Sequence, residues 1–419
     1  MTSAQLPIRV VSQLPISGSR PIRVLSIARH AVGGIRTYLK YTYRALPFGR
    51  YDFTLLAPES IESSYLRADL GSDIRVVEVR HDRAVARLLA AAARELASGS
   101  YDVIHSHGFT AGAIAAFVSA PYAIPHVLTC HDVFRVDQFT SRFGRVRRRI
   151  LERLVARADV IQCPTEDARA NVLSYLPLVG RRARVRVVLH GIPVDRFRGI
   201  AVSRCRPAGS PCVFGFLGRM VPQKGFDVLI DAVELLARRW SGDRFEVRVI
   251  SDGGFVRELR AAVETRQLDR YFRFTGFTRE VTTVLGEIDC VLMPSRWEAC
   301  GLLAMEALAA GCPLIASSCP GLREVISGTP ALRVQPGDPI SLASAMITVM
   351  RDIHRSLAAA AAYVAEASSR FDIRRAASEL DALLRLALAR EGRLTHDDAG
   401  PAGGFTSSSP RRHGPSDLE

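Results

Sequence analysis

Short continuous apolar runs alternate with amphipathic stretches along most of this chain. Ile22–Ala28, Phe53–Ala57, Ile74–Val79, Val103–His105, His126–Cys130, Val160–Cys163 and Val185–Leu189 are such runs. Strands buried on both faces of a parallel sheet carry this pattern. Between them, Val85–Leu96 and Arg142–Arg157 repeat apolar residues at helical spacing. The alternation then restarts. Val213–Leu217, Val247–Ile250, Phe272–Phe274, Val291–Met293 and Pro313–Ala316 read as strands, with helices predicted over Phe226–Arg238, Val256–Ala262 and Gly301–Ala310. Strand–helix alternation predicts an α/β fold of parallel sheets covered on both faces. The break falls at Arg198–Pro211, where Gly199, Ser203, Pro207, Gly209 and Pro211 supply linker chemistry.

The expected organisation is therefore an extension over 1–20, a first doubly wound domain over 21–200 and a second over 207–370. A closing helix over Ile373–Leu388 falls within 371–391, and a Gly-, Pro-, Ser- and Asp-rich tail over 392–419 reads as disordered. Such sheets bind ligands beyond the carboxyl ends of their strands. Two of them facing each other predict a central cleft lined by the loops that follow the strands.

Composition narrows the class. At 419 residues the chain suits two domains, and 48% hydrophobic with 23% charged residues is a soluble globular balance. No run of about 18 uncharged apolar residues predicts a membrane span, and residues 1–20 lack the apolar core of a signal peptide. The eight cysteines contain no CxxC pair, and several sit inside apolar runs. A zinc site or disulfide framework is not expected, and a reducing cytoplasm is. The net charge of +14 comes almost wholly from Arg. It fits either a compositional bias with solvated faces or an anionic partner.

The candidate chemistry centres on Pro294-Ser295-Arg296-Trp297-Glu298-Ala299-Cys300-Gly301-Leu302-Leu303-Ala304-Met305-Glu306. Glu298 falls in the loop after a strand and Glu306 inside the following helix. Backbone N–H groups at that helix start, near Gly301 and Leu302, can meet hydroxyls or phosphate oxygens. The eight-residue separation is about 12 Å if mostly helical. That is the reach from a hexose to the ribose of one nucleotide sugar, and carboxylates accept from paired hydroxyls. The plain alternative is an acid favourably placed at a helix N-terminus plus one surface Glu.

Phe216-Leu217-Gly218-Arg219 with Pro222-Gln223-Lys224-Gly225 precedes that segment. Ser251-Asp252-Gly253-Gly254 and Phe274-Thr275-Gly276-Phe277 come between, and Ala310-Gly311-Cys312-Pro313 and Pro320-Gly321-Leu322-Arg323-Glu324 follow. In this order and spacing the motifs resemble the donor-binding domain of the retaining glycosyltransferases of family 4. Their GT-B fold has two Rossmann-like domains facing a cleft. The resemblance covers roughly residues 21–390 and is strongest from 213 to 326.

It implies a nucleotide-diphosphate sugar as donor and a glycan, lipid-linked or small-molecule acceptor. Arg219 and Lys224 would offset the charge of the leaving diphosphate in place of a metal. Glu298 would hold the sugar, Glu306 the ribose, and Gly218, Gly253, Cys300, Gly301 and Leu302 would line the donor. Gly33 and Gly34, in Ala28-Arg29-His30-Ala31-Val32-Gly33-Gly34-Ile35, would meet donor or acceptor. His131, in Thr129-Cys130-His131-Asp132, would contact the transferred sugar. His107, in His105-Ser106-His107-Gly108, would line the acceptor side, and His105 reads as a core-edge residue. No cofactor is implied. No D-x-D triplet occurs in the chain, which argues against a Mg-bridged donor. The sequence departs from the family pattern at Cys300, often aromatic there, at Gly254, at Pro320-Gly321, and at His190, where the family has Asn.

Arg142–Arg157 holds seven Arg against Glu152, with Phe143, Val146, Ile150, Leu151, Leu154 and Val155 read as one apolar stripe. The plain reading packs that stripe on the sheet with a basic outer face. The other is peripheral contact with anionic membrane. Two rivals to a transferase remain. One is a nucleotide-sugar epimerase or phosphorylase on the same fold. The other is a nucleic-acid-binding protein, disfavoured by aromatics of only 7%.

Overall fold

The computed structural model describes residues 20–99, 101–203, 209–239, 245–251, 255–278 and 280–389. The extension (Arg20 apart), the tail over 392–419, and Gly253 with its neighbours Asp252 and Gly254 lie outside the described residues. Among the described residues, the first sheet has seven strands: β1 (Ile22–Ala28), β2 (Tyr51–Pro58), β3 (Ile74–Val79), β4 (Val103–His107), β5 (His126–Thr129), β6 (Val160–Cys163) and β7 (Arg184–Val187). Their order is β3-β2-β1-β4-β5-β6-β7, all parallel. The second sheet has β8 (Cys212–Leu217), β9 (Phe245–Ile250), β10 (Phe272–Phe274), β11 (Cys290–Met293), β12 (Leu314–Ser317) and β13 (Leu332–Val334). Their order is β10-β9-β8-β11-β12-β13, again all parallel. These are the two Rossmann-like domains of the expected GT-B fold.

The apolar runs become strands because both faces are covered. Every residue of β4, β5, β6, β11 and β12 is buried. Only β13 is absent from the sequence reading. It is a three-residue edge strand, too short to show a period.

In each sheet the strand order reverses direction at one place, between β1 and β4 and between β8 and β11. The connections leave there on opposite faces, so a crevice opens at the carboxyl ends. Ala28 pairs with His107 at the first such point. Gly33, Arg219 and Glu298 follow β1, β8 and β11 at these crevices and His107 ends β4, whereas residues 310–313 precede β12 at the opposite end of its sheet.

The helix Ile373–Ala389 returns to the first domain after the second is complete. At the crossing the Ile192 N–H donates to the Phe371 carbonyl at 2.8 Å, and the Ile192 carbonyl accepts from the Ile373 N–H at 2.9 Å. The helix then buries Ala377, Leu380, Leu384 and Leu388 in the core behind β1 and β2. Arg50 donates two hydrogen bonds to the nearly buried Asp381, at 2.8 and 2.9 Å, and Tyr51 donates one at 2.8 Å. The chain therefore ties its two domains together at its last helix as well as at the linker.

Candidate functional site

The second-domain wall forms around the ends of β8 and β11. Gly218 and Arg219 follow β8, and a short turn, Pro222–Lys224, leads into the helix Phe226–Arg239. The loop Pro294–Cys300 follows β11 and is stitched to that turn. Arg296 takes the Gln223 carbonyl through its N–H at 2.8 Å, and its guanidinium grips Asp227 at 2.7 and 2.6 Å. The Gln223 amide donates to the Trp297 carbonyl at 3.1 Å. Two glycines allow the backbones to touch. A Cβ on Gly225 (φ 66°) would stand 2.1 Å from the Pro294 oxygen, and one on Gly321 (φ 78°) 2.4 Å from the Glu298 oxygen. No other residue fits at either position without displacing the Glu298 loop.

This stitching sets Lys224 against Glu298. The ammonium donates to the carboxylate at 2.5 Å, and the Ser295 hydroxyl adds a bond at 2.9 Å. Glu298 is 6% exposed. The two groups that the resemblance assigns to sugar and diphosphate thus neutralise each other in this state. Cys300 differs from expectation. Its side chain is in the hydrophobic core, and burial pushes the thiol up to about 12. It can offer a ligand only its backbone. The helix Leu302–Ala309 begins at Gly301 with no side-chain cap, so its start is free to receive hydroxyls or an anion. Glu306 lies inside this helix, 6% exposed, and burial pushes its carboxyl up to about 7.

The first-domain wall forms around the ends of β1 and β4. The Gly33–Gly34 loop opens the helix Gly34–Ala45, also without a side-chain cap. A Cβ on Gly33 would stand 3.1 Å from Arg219 Nε, so the two walls meet here. His30 is held below its ordinary value, first by burial and then by Arg29 and Arg219. Arg29 Nε is buried and has no partner among the described residues. Two helical turns on, Tyr41 crosses to the second domain and donates to Glu306 Oε1 at 2.9 Å.

Behind this wall lies a chain of buried polar groups. His131 Nε2 is 3.1 Å from His107 Nδ1. His107 Nε2 is 2.8 Å from the Tyr43 hydroxyl, and that hydroxyl is 2.9 Å from His105 Nδ1. His105 Nε2 is 2.8 Å from the Thr129 hydroxyl. Burial keeps these rings neutral: His107 and His131 are held well below their ordinary value, and His105 at about 3. His107 is 2% exposed. It therefore stands behind His131 and fixes that ring, and does not line the acceptor side as expected. His190 joins the same cluster, its ring 4.5 Å from Tyr38 and 5.4 Å from His131, with Nε2 buried and unpartnered among the described residues. Asp132 faces the cleft from the first domain. Desolvation and then the charge of Glu298 push its carboxyl up.

A second cross-domain contact involves the last motif. Asp167 is held by the Arg323 guanidinium and the Gly321 N–H, and the Glu324 carboxylate accepts from the N–H groups of Glu166 and Asp167. Sequence reasoning missed Tyr41, Arg29, Asp132 and Asp167. Tyr38 and Tyr41 at i, i+3 after a Gly-Gly loop were the available signal. Among the described residues, no three His, Cys, Asp or Glu side chains converge as metal ligands.

Comparison with known proteins agrees with this geometry. A family model described as Glycosyltransferase Family 4 matches residues 32–196, and one described as Glycosyl transferases group 1 matches residues 211–352. The D-inositol 3-phosphate glycosyltransferase of Corynebacterium urealyticum is 30% identical over 326 residues, covering 72% of this chain and 76% of that protein. Its namesake from Geodermatophilus obscurus is 29% identical over 272 residues, and the chain spans only 60% of that relative's length, through 60% of its own. Among solved structures, Anabaena HepE in complex with UDP-glucose shares the fold, with a TM-score of 0.71 at 20% identity over 87% of this chain and 100% of that one.

Proposed function

We propose a reaction for this chain, which belongs to glycosyltransferase family 4: transfer of a hexose-type sugar, with retention, from a nucleotide-diphosphate donor to an acceptor hydroxyl. The observation that carries it is the facing of two crevices. Arg219, Lys224 and Glu298 at the second-domain crevice look onto the Gly33–Gly34 loop and His131 at the first.

Donor binding would exchange partners. Lys224 gives up Glu298 for phosphate oxygens, and Glu298 then accepts from sugar hydroxyls. Arg219 adds its planar fork to the same diphosphate. The ribose hydroxyls take Glu306 as the Tyr41 hydroxyl gives way. Neutral His131, its ring fixed by His107, contributes one hydrogen bond to the sugar. As the anomeric C–O bond breaks, charge grows on the diphosphate, where fixed cations lower the barrier most. The acceptor oxygen bonds to the anomeric carbon on the face the phosphate leaves. The acceptor proton passes to the departing phosphate oxygen.

The UDP-glucose bound to Anabaena HepE makes UDP-sugars the first donors to try. The similarity to D-inositol 3-phosphate glycosyltransferases makes a cyclitol phosphate the first small acceptor to try. Arg29 beside the first-domain loop is the cation such an anion would meet, and neutral His30 next to it can offer a hydrogen bond. Glycan and lipid-linked acceptors remain within the same reading. Cytoplasmic, metal-independent action is part of the proposal. The seven described cysteines are all free, which suits a reducing compartment. No described helix is long and apolar enough to cross a membrane. The test is a binding and hydrolysis screen of UDP-, GDP- and ADP-sugars, with Glu298→Ala as control. Failure of every donor to bind, or equal turnover by the variant, would overturn the assignment.

A further inference from the structure

The helix Arg142–Val155 does not pack the way its sequence suggests. Leu151 is half-buried and Val155 fully buried against the first domain, where Ala156, Ala158 and Leu178 line the same cluster. Phe143, Val146 and Ile150 turn the other way, 86%, 53% and 54% exposed. At i, i+3 and i+7 they form one row along the outward side. The single stripe read from the sequence is therefore two faces, and the one facing solvent is apolar along its centre.

Cations flank that row. Arg147 lies on one side, and Arg142, Arg149 and Arg153 on the other, all exposed. Among the described residues, these four and Arg157 have no ion-pair partner. The only acid of the helix, Glu152, is turned away and accepts from the Leu178 N–H at 2.7 Å. Val136, in the loop before the helix, is 88% exposed, and Phe117, on the neighbouring helix Phe109–Val118, is 64% exposed.

We propose that this face docks on an anionic lipid bilayer, with Phe143, Val146 and Ile150 below the headgroups and the arginines among them. A helix of 14 residues with an apolar row edged by Arg has the form of an interfacial element. A second copy of this chain is a poor occupant, because a two-fold contact would press like charges together. The loop Asp132–Thr140 joins the helix to His131. Its Arg135 guanidinium lies 5.1 Å from the Trp297 ring centre, at the edge of the donor loop. Docking would thus hold the mouth of the cleft beside the membrane surface. The proposal stands independently of the proposed transfer, because its test reads binding alone.

The test is flotation of the full chain with vesicles of phosphatidylcholine alone, and of phosphatidylcholine with 30 mol% phosphatidylglycerol (about a third). The expected result is binding to the anionic vesicles at least about tenfold tighter than to the neutral ones. Replacing Phe143, Val146 and Ile150 together by Ser should weaken binding about tenfold or more with an unchanged melting temperature, because the three are exposed. Each of Arg147→Gln, Arg149→Gln and Arg153→Gln should cost roughly fivefold. No binding to anionic vesicles overturns the proposal. So does a Ser triple variant that binds as the parent does, which would leave only charge. A parent dimer that the triple variant converts to monomer, read by light scattering, would assign the face to a second copy instead.

Discussion

Glu306→Gln should make the protein more stable and its nucleotide site weaker. Desolvation pushes the Glu306 carboxyl from 4.5 to about 7, against the hydroxyl of Tyr41 and the charges of Arg196 and Lys40. The folded chain therefore holds this proton more tightly than the unfolded chain. The stability that the proton confers is full below about pH 4.5 and is lost as pH rises through about 7. At 1.36 kcal/mol per pH unit, ionising Glu306 costs the folded state about 3 kcal/mol at pH 8. The amide never ionises, and its oxygen still accepts from Tyr41. The variant should thus match the parent at pH 5 and exceed it by about 2–3 kcal/mol at pH 8. In a domain of this size that is about 4–12 °C in melting temperature. Differential scanning calorimetry from pH 5 to 8.5 reads the gap directly. A gap that does not open with pH, or a variant less stable at pH 8, would refute the reasoning. Calorimetric titration with the nucleotide should show affinity down about 10- to 100-fold, the loss of hydrogen bonds to a charged acceptor. Gained stability with lost binding is what a residue kept for a ligand at the fold's expense predicts.

Glu298→Gln should lower turnover at least about a hundredfold with a much smaller change in nucleotide affinity, separable by kcat and a binding titration. Tyr41→Phe frees Glu306 from its cross-domain partner, so nucleotide affinity should hold or rise. A fall of tenfold or more would mean that the hydroxyl serves the bound state. Asp167→Asn weakens the grip of Arg323 between the domains, and small-angle scattering of the nucleotide-free protein should show a larger radius of gyration than the parent. Activity should persist in excess EDTA, and a strict metal requirement, shown by loss on chelation and return with Mg, would contradict the scheme.

Much of the fold was written locally. Val160–Cys163 forms a strand at the residues its run marks, buried at all four positions because both faces of the sheet are covered, and Phe272–Phe274 does so at the sheet's edge, where Arg273 turns to solvent. The glycines and charges of the loops after β8 and β11 were legible for the same reason. They follow strands, and strand ends are where a doubly wound sheet can bind. The sequence alone determined the fold class, the two domains and the family.

Tertiary structure decided the partners. Tyr41 and Glu306 are 265 residues apart, and no local period records that they meet. His107 ends one strand and His131 follows the next, and the two look alike in sequence, yet one lies behind the other because β4 and β5 run side by side. The apolar residues of Arg142–Val155 are countable in the sequence, but which of them face water depends on what packs against the helix. Periodicity fixes the faces of an element. Only the contacts of the folded chain fix what each face meets.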